Sequence, residues 1–391
     1  MIKVGTFFSG VGSPEQALVN LGIEHEIEFA CDIDKYARQT YLKNFDCKNM
    51  YNDITSLNMK DLSPVDLLVF GFPCQAFSMA GKRGGFDDTR GTLFYDALRY
   101  LQEHRPRYFI AENVKGLISH DNRKTFRTIL DCLSKTENYQ FQLAPFDNLG
   151  YHVHYKVLNT KDFGVPQNRE RIFIVGIRDD KDNNFTFPKP FHLKNKLKDL
   201  LENDVDDKYY LSDKTVERVL NTKFDSDKPM DIGRKSYRDE GLCKTLKVGG
   251  DVPIFEVKSH SLHPRSGDPT KVGTGHLSKQ DGTSYCLDTG NAQAVEWVGD
   301  FRTDVGLRIR KDELSPCLCS SMKDDFNLKF AAGNAPIIKK KRIRRLTPIE
   351  CERLQGFPDN HTEGVSDTQR YRQMGNSITV NVMMELFKKL L

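Results

Sequence analysis

The chain has 391 residues, a formal net charge of +4 from 58 Lys and Arg against 54 Asp and Glu, and 38% hydrophobic residues. That length supports one large core plus a smaller second domain, and its longest apolar runs, such as "VDLLVFGF" and "RIFIVGI", are too short to span a bilayer. Nine cysteines without a C-x-x-C pair or clustered histidines disfavour a disulfide framework and a zinc site, and "MIKVGTFFSG" lacks the features of a secretory signal, so the expectation is a cytoplasmic, metal-free, membrane-independent protein.

In chain order, "IKVGTFFSG" reads as a strand running into a glycine loop. "SPEQALVNLG" follows as a helix, with Ser13 expected at the N-cap, Pro14 at the first turn, Gln16 closing a capping box and Gly22 as the stop. "HEIEFACD" is a strand ending at Asp32, "YNDIT" ends a third strand at Asp53, and "VDLLVFGF" is a buried fourth strand leading to Cys74. "TLFYDALRYLQEHRP" repeats apolar residues at helical spacing through Leu93, Phe94, Ala97, Leu98 and Leu101 and stops before Pro106. "RYFIAENV" ends a fifth strand at Glu112, and "YHVHYKVLN" and "RIFIVGIR" complete the series. Residues 1–178 therefore read as a doubly wound, mostly parallel α/β sheet. Residues 179–342 change texture to a second, smaller, irregular β-rich domain. Residues 343–391 return to helical spacing and are expected to pack on the first domain, the last helix burying Val380, Val382, Met383, Leu386 and Leu390.

Ligands of such sheets bind beyond the carboxyl ends of the strands. Ser9, Gly10 and Gly12 stand at one such end before a helix N-terminus, where free amides favour negative groups. Asp32 follows about 20 residues on, where a carboxylate can accept ribose hydroxyls, and Asp53 ends the next strand. The loop lacks the third glycine of the dinucleotide fingerprint, which favours an adenosine cofactor without a pyrophosphate.

Cys74 and Glu112 end strands joined by one crossover helix, so both face one crevice. A lone cysteine also serves as a small core hydrophobe. Against that reading, Pro73 and the glycines at 71, 81, 84 and 85 make a poor core segment and a good lid, and Lys82, Arg83 and Arg90 stand nearby to support a thiolate. Arg169 and Arg171 alternate onto one face of a strand, next to the crevice holding Glu112, in position to grip a planar polar ligand by its edge. "KKKRIRR" at 339–345 places six positive charges in seven positions, a candidate phosphate contact or a solvated patch.

"FSGVG", "GFPCQAFS", "ENV", "QNRERIFIVG", "RRLTPIECERLQGFP" and "QMGNS", in this order, resemble the motif series of bacterial and phage DNA cytosine C5 methyltransferases, over residues 1–178 and 343–391. The resemblance implies a Rossmann-like, S-adenosylmethionine-dependent methyltransferase fold, with 179–342 as a variable target-recognition domain. It implies duplex DNA as substrate, with the target cytosine flipped out of the helix. Cys74 would then add to C6 of the ring, Glu112 would hydrogen-bond the ring N3 and exocyclic amine, and Arg171, supported by Arg169, would contact the O2 side. By the same resemblance Phe8, Ser9, Gly10 and Gly12 line the donor's methionine end, and Asp32 with Ile33 meets the ribose. Asp53 with Ile54 meets the adenine, while Asn376 and Ser377 close the pocket. Gln75, Ser78, Lys82, Arg83 and Arg90 become DNA contacts of the Cys74 loop, and Arg265 and Lys271 base-reading candidates. The family commonly has glutamate where Asp32 stands and an aromatic where Ile33 stands. A monomer is expected, alone or beside a restriction endonuclease, in a bacterial or phage-infected cell. An RNA cytosine methyltransferase and a non-catalytic DNA-binding protein of the same fold are the rival readings.

Overall fold

The computed structural model describes residues 1–72, 93–134, 149–181, 183–191, 193, 195–212 and 342–391, together with the backbone of four short strands between 259 and 309. By internal contacts the chain divides into two units, Met1–Val165 with Arg169–Leu193 and Glu352–Leu391, and Pro166–Asn168 with Lys194–Cys351.

The first unit is built on a seven-stranded sheet. Its strands are β1 (Ile2–Phe7), β2 (His25–Cys31), β3 (Met50–Tyr51), β4 (Leu67–Phe70), β5 (Tyr108–Val114), β6 (Tyr151–Asn159) and β7 (Glu170–Arg178), in the order β3-β2-β1-β4-β5-β7-β6. Pairing is parallel from β3 through β5. β7 runs antiparallel to both β5 and β6, so the sheet is mixed at one edge. The strand order reverses between β1 and β4, which places a topological switch point at the sheet centre.

Helix α1 (Ser13–Leu21) differs from the sequence expectation at its start. Its N-cap is Gly12 at φ 85, without a side-chain cap, so Ser13 is already inside the helix and no capping box forms. The reason is steric: a Cβ on Gly12 would come 2.1 Å from the Phe45 ring, and the left-handed backbone there favours glycine. Gly22 terminates the helix in the left-handed conformation, its amide donating to the carbonyls of Leu18 and Val19. Helix α2 (Lys35–Asn44) is capped by Asp34, which accepts from the amides of Tyr36 and Ala37. Helices α3 (Leu93–His104) and α4 (Lys124–Leu133) follow, and the tail forms α5 (Pro348–Gln355), α6 (Asp367–Asn376) and α7 (Val380–Leu390). α7 buries Val380, Val382, Met383, Leu386 and Leu390 and packs on α1.

The main core is aromatic. Phe7, Phe29 and Tyr100 stack with centroids 5.1–5.5 Å apart, and the Tyr100 hydroxyl donates to the Ser63 carbonyl at 2.7 Å, so its polar tip is satisfied. Glycine in β7 makes room for another ring: Gly176 pairs directly with Phe109, and a Cβ there would lie 1.9 Å from the ring.

In the second unit β8 (Ser259–Ser261), β9 (Gln293–Trp297) and β12 (Arg342–Arg344) form an antiparallel sheet, and β10 (Gly299–Arg302) pairs with β11 (Gly306–Ile309). Arg344, counted in the basic run, is a correction to that run: it is 2% exposed and makes a bidentate pair with buried Glu350 at 2.7 and 2.8 Å. Its charge is spent on the fold and not on phosphate.

Gly176→Ala forces the Phe109 ring to move in a packed interior, and is expected to lower stability by about 1–3 kcal/mol, read as a reduced urea midpoint at unchanged slope.

Candidate active site

The cleft opens at the switch point, where the ends of β1 and β4 diverge. It is lined by Phe8, Ser9, Gly10 and Val11 from the glycine loop, Phe70 at the end of β4 and Gly71 after it, Glu112 on β5, and Asn376, Ser377 and Ile378 from the tail. Its volume is about 410 Å³ including the open mouth.

Phe8 takes φ 54, a left-handed conformation that a bulky side chain rarely adopts, and so turns the chain out of β1. Ser9 is tied inward: its hydroxyl donates toward the carbonyls of Thr6 and Cys31 and accepts from the Cys31 amide at 2.9 Å. Ser9 therefore knots the ends of β1 and β2, and offers the cleft chiefly its backbone. At Gly10, φ is 56 and an added Cβ would meet no atom within 4 Å, which leaves the loop open on that side. Gly12 lies outside the cleft lining, against Phe45.

The two acids share the neighbouring edge of the sheet. Burial, helped by the negative charges of Asp32 and Asp53, pushes the Cys31 thiol up to about 12. Asp32 accepts from the Gly10 amide and from the Asp34 amide, each at 2.8 Å, so it pins the loop from the side. Each of its oxygens keeps a second lone pair. Asp53 caps the short helix Ile54–Ser56 through the Thr55 amide at 2.9 Å, Ile54 is buried in the core, and Ile33 is 78% exposed.

Glu112 and Arg171 meet because of strand register. Glu112 pairs with Phe173 and Val114 with Arg171, so Glu112 and Arg171 are diagonal neighbours on one face of an antiparallel pair, within reach of long side chains. Arg171 Nε lies 3.1 Å from Glu112 Oε1, with the side chains 19% and 12% exposed. Burial raises the Glu112 pKa above the ordinary carboxylate value, and the charges of Arg171 and Arg169 oppose that shift only in part. Arg169 takes a different post from Arg171. It is 3% exposed, and its guanidinium donates to the carbonyls of Gly375 and Ser377 at 3.0 and 2.8 Å, bracing the turn that carries Asn376. Asn113, within "ENV", donates to the Phe72 carbonyl at 2.9 Å, two residues before Cys74 in the chain. Cys74, Gln75, Ser78, Lys82, Arg83, Arg90, Arg265 and Lys271 lie outside the described residues.

The profile of the C-5 cytosine-specific DNA methylase family matches residues 2–391. The chain belongs to that family. It is 33% identical to the orphan methyltransferase M.SPRI of Bacillus phage SPR, over all of this chain and 97% of that protein. It is 34% identical to the type II methyltransferase M.HpaII of Haemophilus parainfluenzae, over 98% of this chain and 87% of that one. In fold it is similar to a DNMT2 mutant of Spodoptera frugiperda, with a TM-score of 0.60 at 20% identity over 100% and 99% of the two chains. It is also similar to S. pombe Dnmt2, with a TM-score of 0.59 at 20% identity over 100% and 98%.

The methylase is thus an enzyme acting on DNA, and no helix among its described residues is long and apolar enough to cross a membrane. Several residues that shape its cleft were not singled out from the sequence. Glu15 is fully buried under the loop, its carboxyl accepting from Thr6 at 2.9 Å and from the Tyr41 hydroxyl at 2.6 Å, and burial raises its pKa. Its only local signal was an acid in the first turn of α1. Asn113 entered only as a letter of "ENV", and His361, which acts across a long sequence separation, left no local signal.

A raised carboxyl pKa contributes stability that is fully present below the unfolded value and is lost as pH rises through the folded one. Arg171→Ala removes the charge that restrains the shift at Glu112. The Glu112 pKa is expected to rise further in a carbon-detected NMR titration. The variant's stability deficit should be larger near pH 8 than near pH 5; a deficit equal at both would contradict the pairing.

Proposed function

We propose that the enzyme transfers a methyl group from S-adenosylmethionine to C5 of a cytosine flipped out of a specific duplex DNA sequence, through a covalent bond from Cys74 to C6. The observation that carries the reading is a buried carboxyl with a raised pKa, Glu112, beside Arg171 in a cleft at the sheet's switch point.

The residues present fit the donor. The loop at 8–11 supplies backbone and an open glycine before a helix N-terminus, Asp32 and Asp53 stand at adjoining strand ends, and Asn376 and Ser377 face the loop across the cleft. When bound, the donor supplies an electrophilic methyl on sulfur. The protein's task is to make C5 nucleophilic. The Cys74 thiolate would add to C6 and the C5–C6 π pair would move into the ring, leaving C5 nucleophilic toward the methyl group that the donor would supply. Glu112, retaining a proton that burial favours, hydrogen-bonds N3 as negative charge develops there, and its acceptor oxygen faces the exocyclic amine. Arg171 contacts the O2 side, and Arg169 acts through the 375–377 turn. A water takes the C5 proton and the returning pair expels Cys74.

Residues 1–178 would carry catalysis and the donor, 179–342 target recognition, and 343–391 closure of the catalytic part. Phosphates would be met by Lys82, Arg83 and Arg90 and base edges by Arg265 and Lys271, with Gln75 and Ser78 near the vacated base position. The orphan and type II relatives support either a solitary modification enzyme or one paired with a restriction endonuclease.

Cys74→Ser is expected to lower methyl transfer to duplex DNA by at least about a thousandfold while S-adenosylmethionine binding stays within about twofold. The wild-type protein should form a covalent adduct on 5-fluorocytosine duplex, and bisulfite sequencing of host DNA should show one methylated context. Full transfer by the serine variant, or tritium transfer to tRNA in preference to duplex DNA, would overturn the proposal.

A further inference from the structure

Residues 356–366 link α5 to α6 and turn tightly, with Gly356, Asn360 and Gly364 at φ 80, 62 and 104. The segment is fastened along α2. Gln39 donates to the Gly364 carbonyl at 3.2 Å, Lys43 to the Glu363 carbonyl at 3.0 Å and Asn44 to the His361 carbonyl at 2.9 Å. From beneath, the buried Glu352 carboxylate accepts from the Thr362 amide at 3.0 Å, from the Thr362 hydroxyl and from Arg370 at 2.8 Å. These bonds make a rigid seat for one side chain.

That side chain is His361, 2% exposed, its ring stacked on Phe357 at 4.3 Å and against Phe45 at 5.8 Å. Its Nε2 lies 2.8 Å from the carbonyl oxygen of Val11. A carbonyl only accepts, so Nε2 carries the proton, and Nδ1 is left as a buried acceptor without a partner among the described residues. Burial holds the imidazole pKa below its ordinary value, so the ring stays neutral in this tautomer. Val11 sits between Gly10 and Gly12 in the loop that lines the cleft. Phe45, on which His361 leans, occupies the space beside Gly12. A loop with two left-handed glycines has many conformations open to it, and these two side chains select one.

We propose that His361 is a positioning residue for donor binding: by holding the Val11 carbonyl it fixes the 9–12 loop in the conformation that receives S-adenosylmethionine. The inference rests on the reading that the donor occupies this cleft.

The test compares S-adenosylmethionine binding by calorimetry, and steady-state methylation of duplex DNA, in wild-type protein, His361→Leu, His361→Gln and His361→Asn. Leucine fills similar space without a donor, glutamine places an N–H near the Nε2 position, and asparagine stops short of Val11. His361→Leu and His361→Asn are expected to raise Kd and KM for the donor about 3- to 10-fold, the loss of one net hydrogen bond, with kcat and the KM for DNA within about twofold. His361→Gln should recover to within about threefold of wild type at the same melting temperature. Should His361→Leu fail to fold, the contrast between asparagine and glutamine decides. Failure of the wild type to bind S-adenosylmethionine would remove the reading of the cleft itself. Binding by the wild type with equal binding by all variants, equal damage from glutamine and asparagine, or a parallel rise in the KM for DNA would overturn the positioning role.

Discussion

A carboxyl group and a guanidinium 3.1 Å apart in a half-enclosed cleft pose a contest between two forces, and the chemistry follows from which one prevails. The pair attraction favours ionised Glu112 by about 5 kcal/mol at an effective dielectric near 20, while desolvation penalises each ion by several kcal/mol. Burial wins at Glu112, whose pKa rises despite two nearby arginines. An ionised carboxylate can only accept hydrogen bonds, whereas one that keeps its proton can donate to an aromatic ring nitrogen as charge develops there. Arg171 limits how far the shift goes. A protonated carboxyl still keeps acceptor capacity on its other oxygen, so a Glu112 that holds its proton can donate and accept at once.

The reversed strand makes this pairing possible. β5 points its carboxyl end toward the cleft, so Glu112 and Val114 stand at the functional edge. Because β7 is antiparallel to β5, its first residues lie at that same edge, and Arg171 falls opposite Val114. A parallel strand in that slot would deliver its beginning to the far edge of the sheet, about 20 Å away at 3.3 Å per residue. The short connection from β6 through residues 160–169 is enough to enter β7 in this direction, and it also delivers Arg169 to the carbonyls of Gly375 and Ser377. One inversion thus supplies both the partner of the buried acid and the brace of the facing turn.

Much of this was legible in the residues because strand and helix periods are local properties. Continuous apolar runs in β1, β4, β5 and β7 announce strands buried on both faces, and their ends mark where a ligand can sit. Cys74 and Glu112 were placed in one crevice by topology, and Arg169 and Arg171 beside it by strand alternation. What stayed hidden depends on contacts between distant segments. Ser13 looks like an N-cap, yet Gly12 takes that role because Phe45 fills the space a side chain would need. Arg344 looks like one charge in a surface run until Glu350 pairs with it in the interior. Arg169 and Arg171 share a face by alternation, and alternation cannot show that only one of them turns toward the acid. Asp32 reads as a ribose acceptor by position, while its geometry also makes it a tether for the Gly10 amide.

The glycine loop illustrates how local permission and distant selection combine. Glycines at 10 and 12 lower the barrier to left-handed backbone, but freedom alone would leave the loop an ensemble. The constraints come from elsewhere: Asp32 at the end of β2 takes the Gly10 amide, Phe45 after α2 presses on Gly12, and His361 takes the Val11 carbonyl across 350 residues of sequence. The last of these requires closing the whole chain, an ordering penalty that grows slowly with loop length but is met only after the intervening elements have formed. The binding-ready loop is therefore a property of the closed unit and not of the glycine-rich segment. The tail that begins at Glu352 contributes to the cleft twice, once through the turn at 375–378 and once by dictating the shape of the loop facing it.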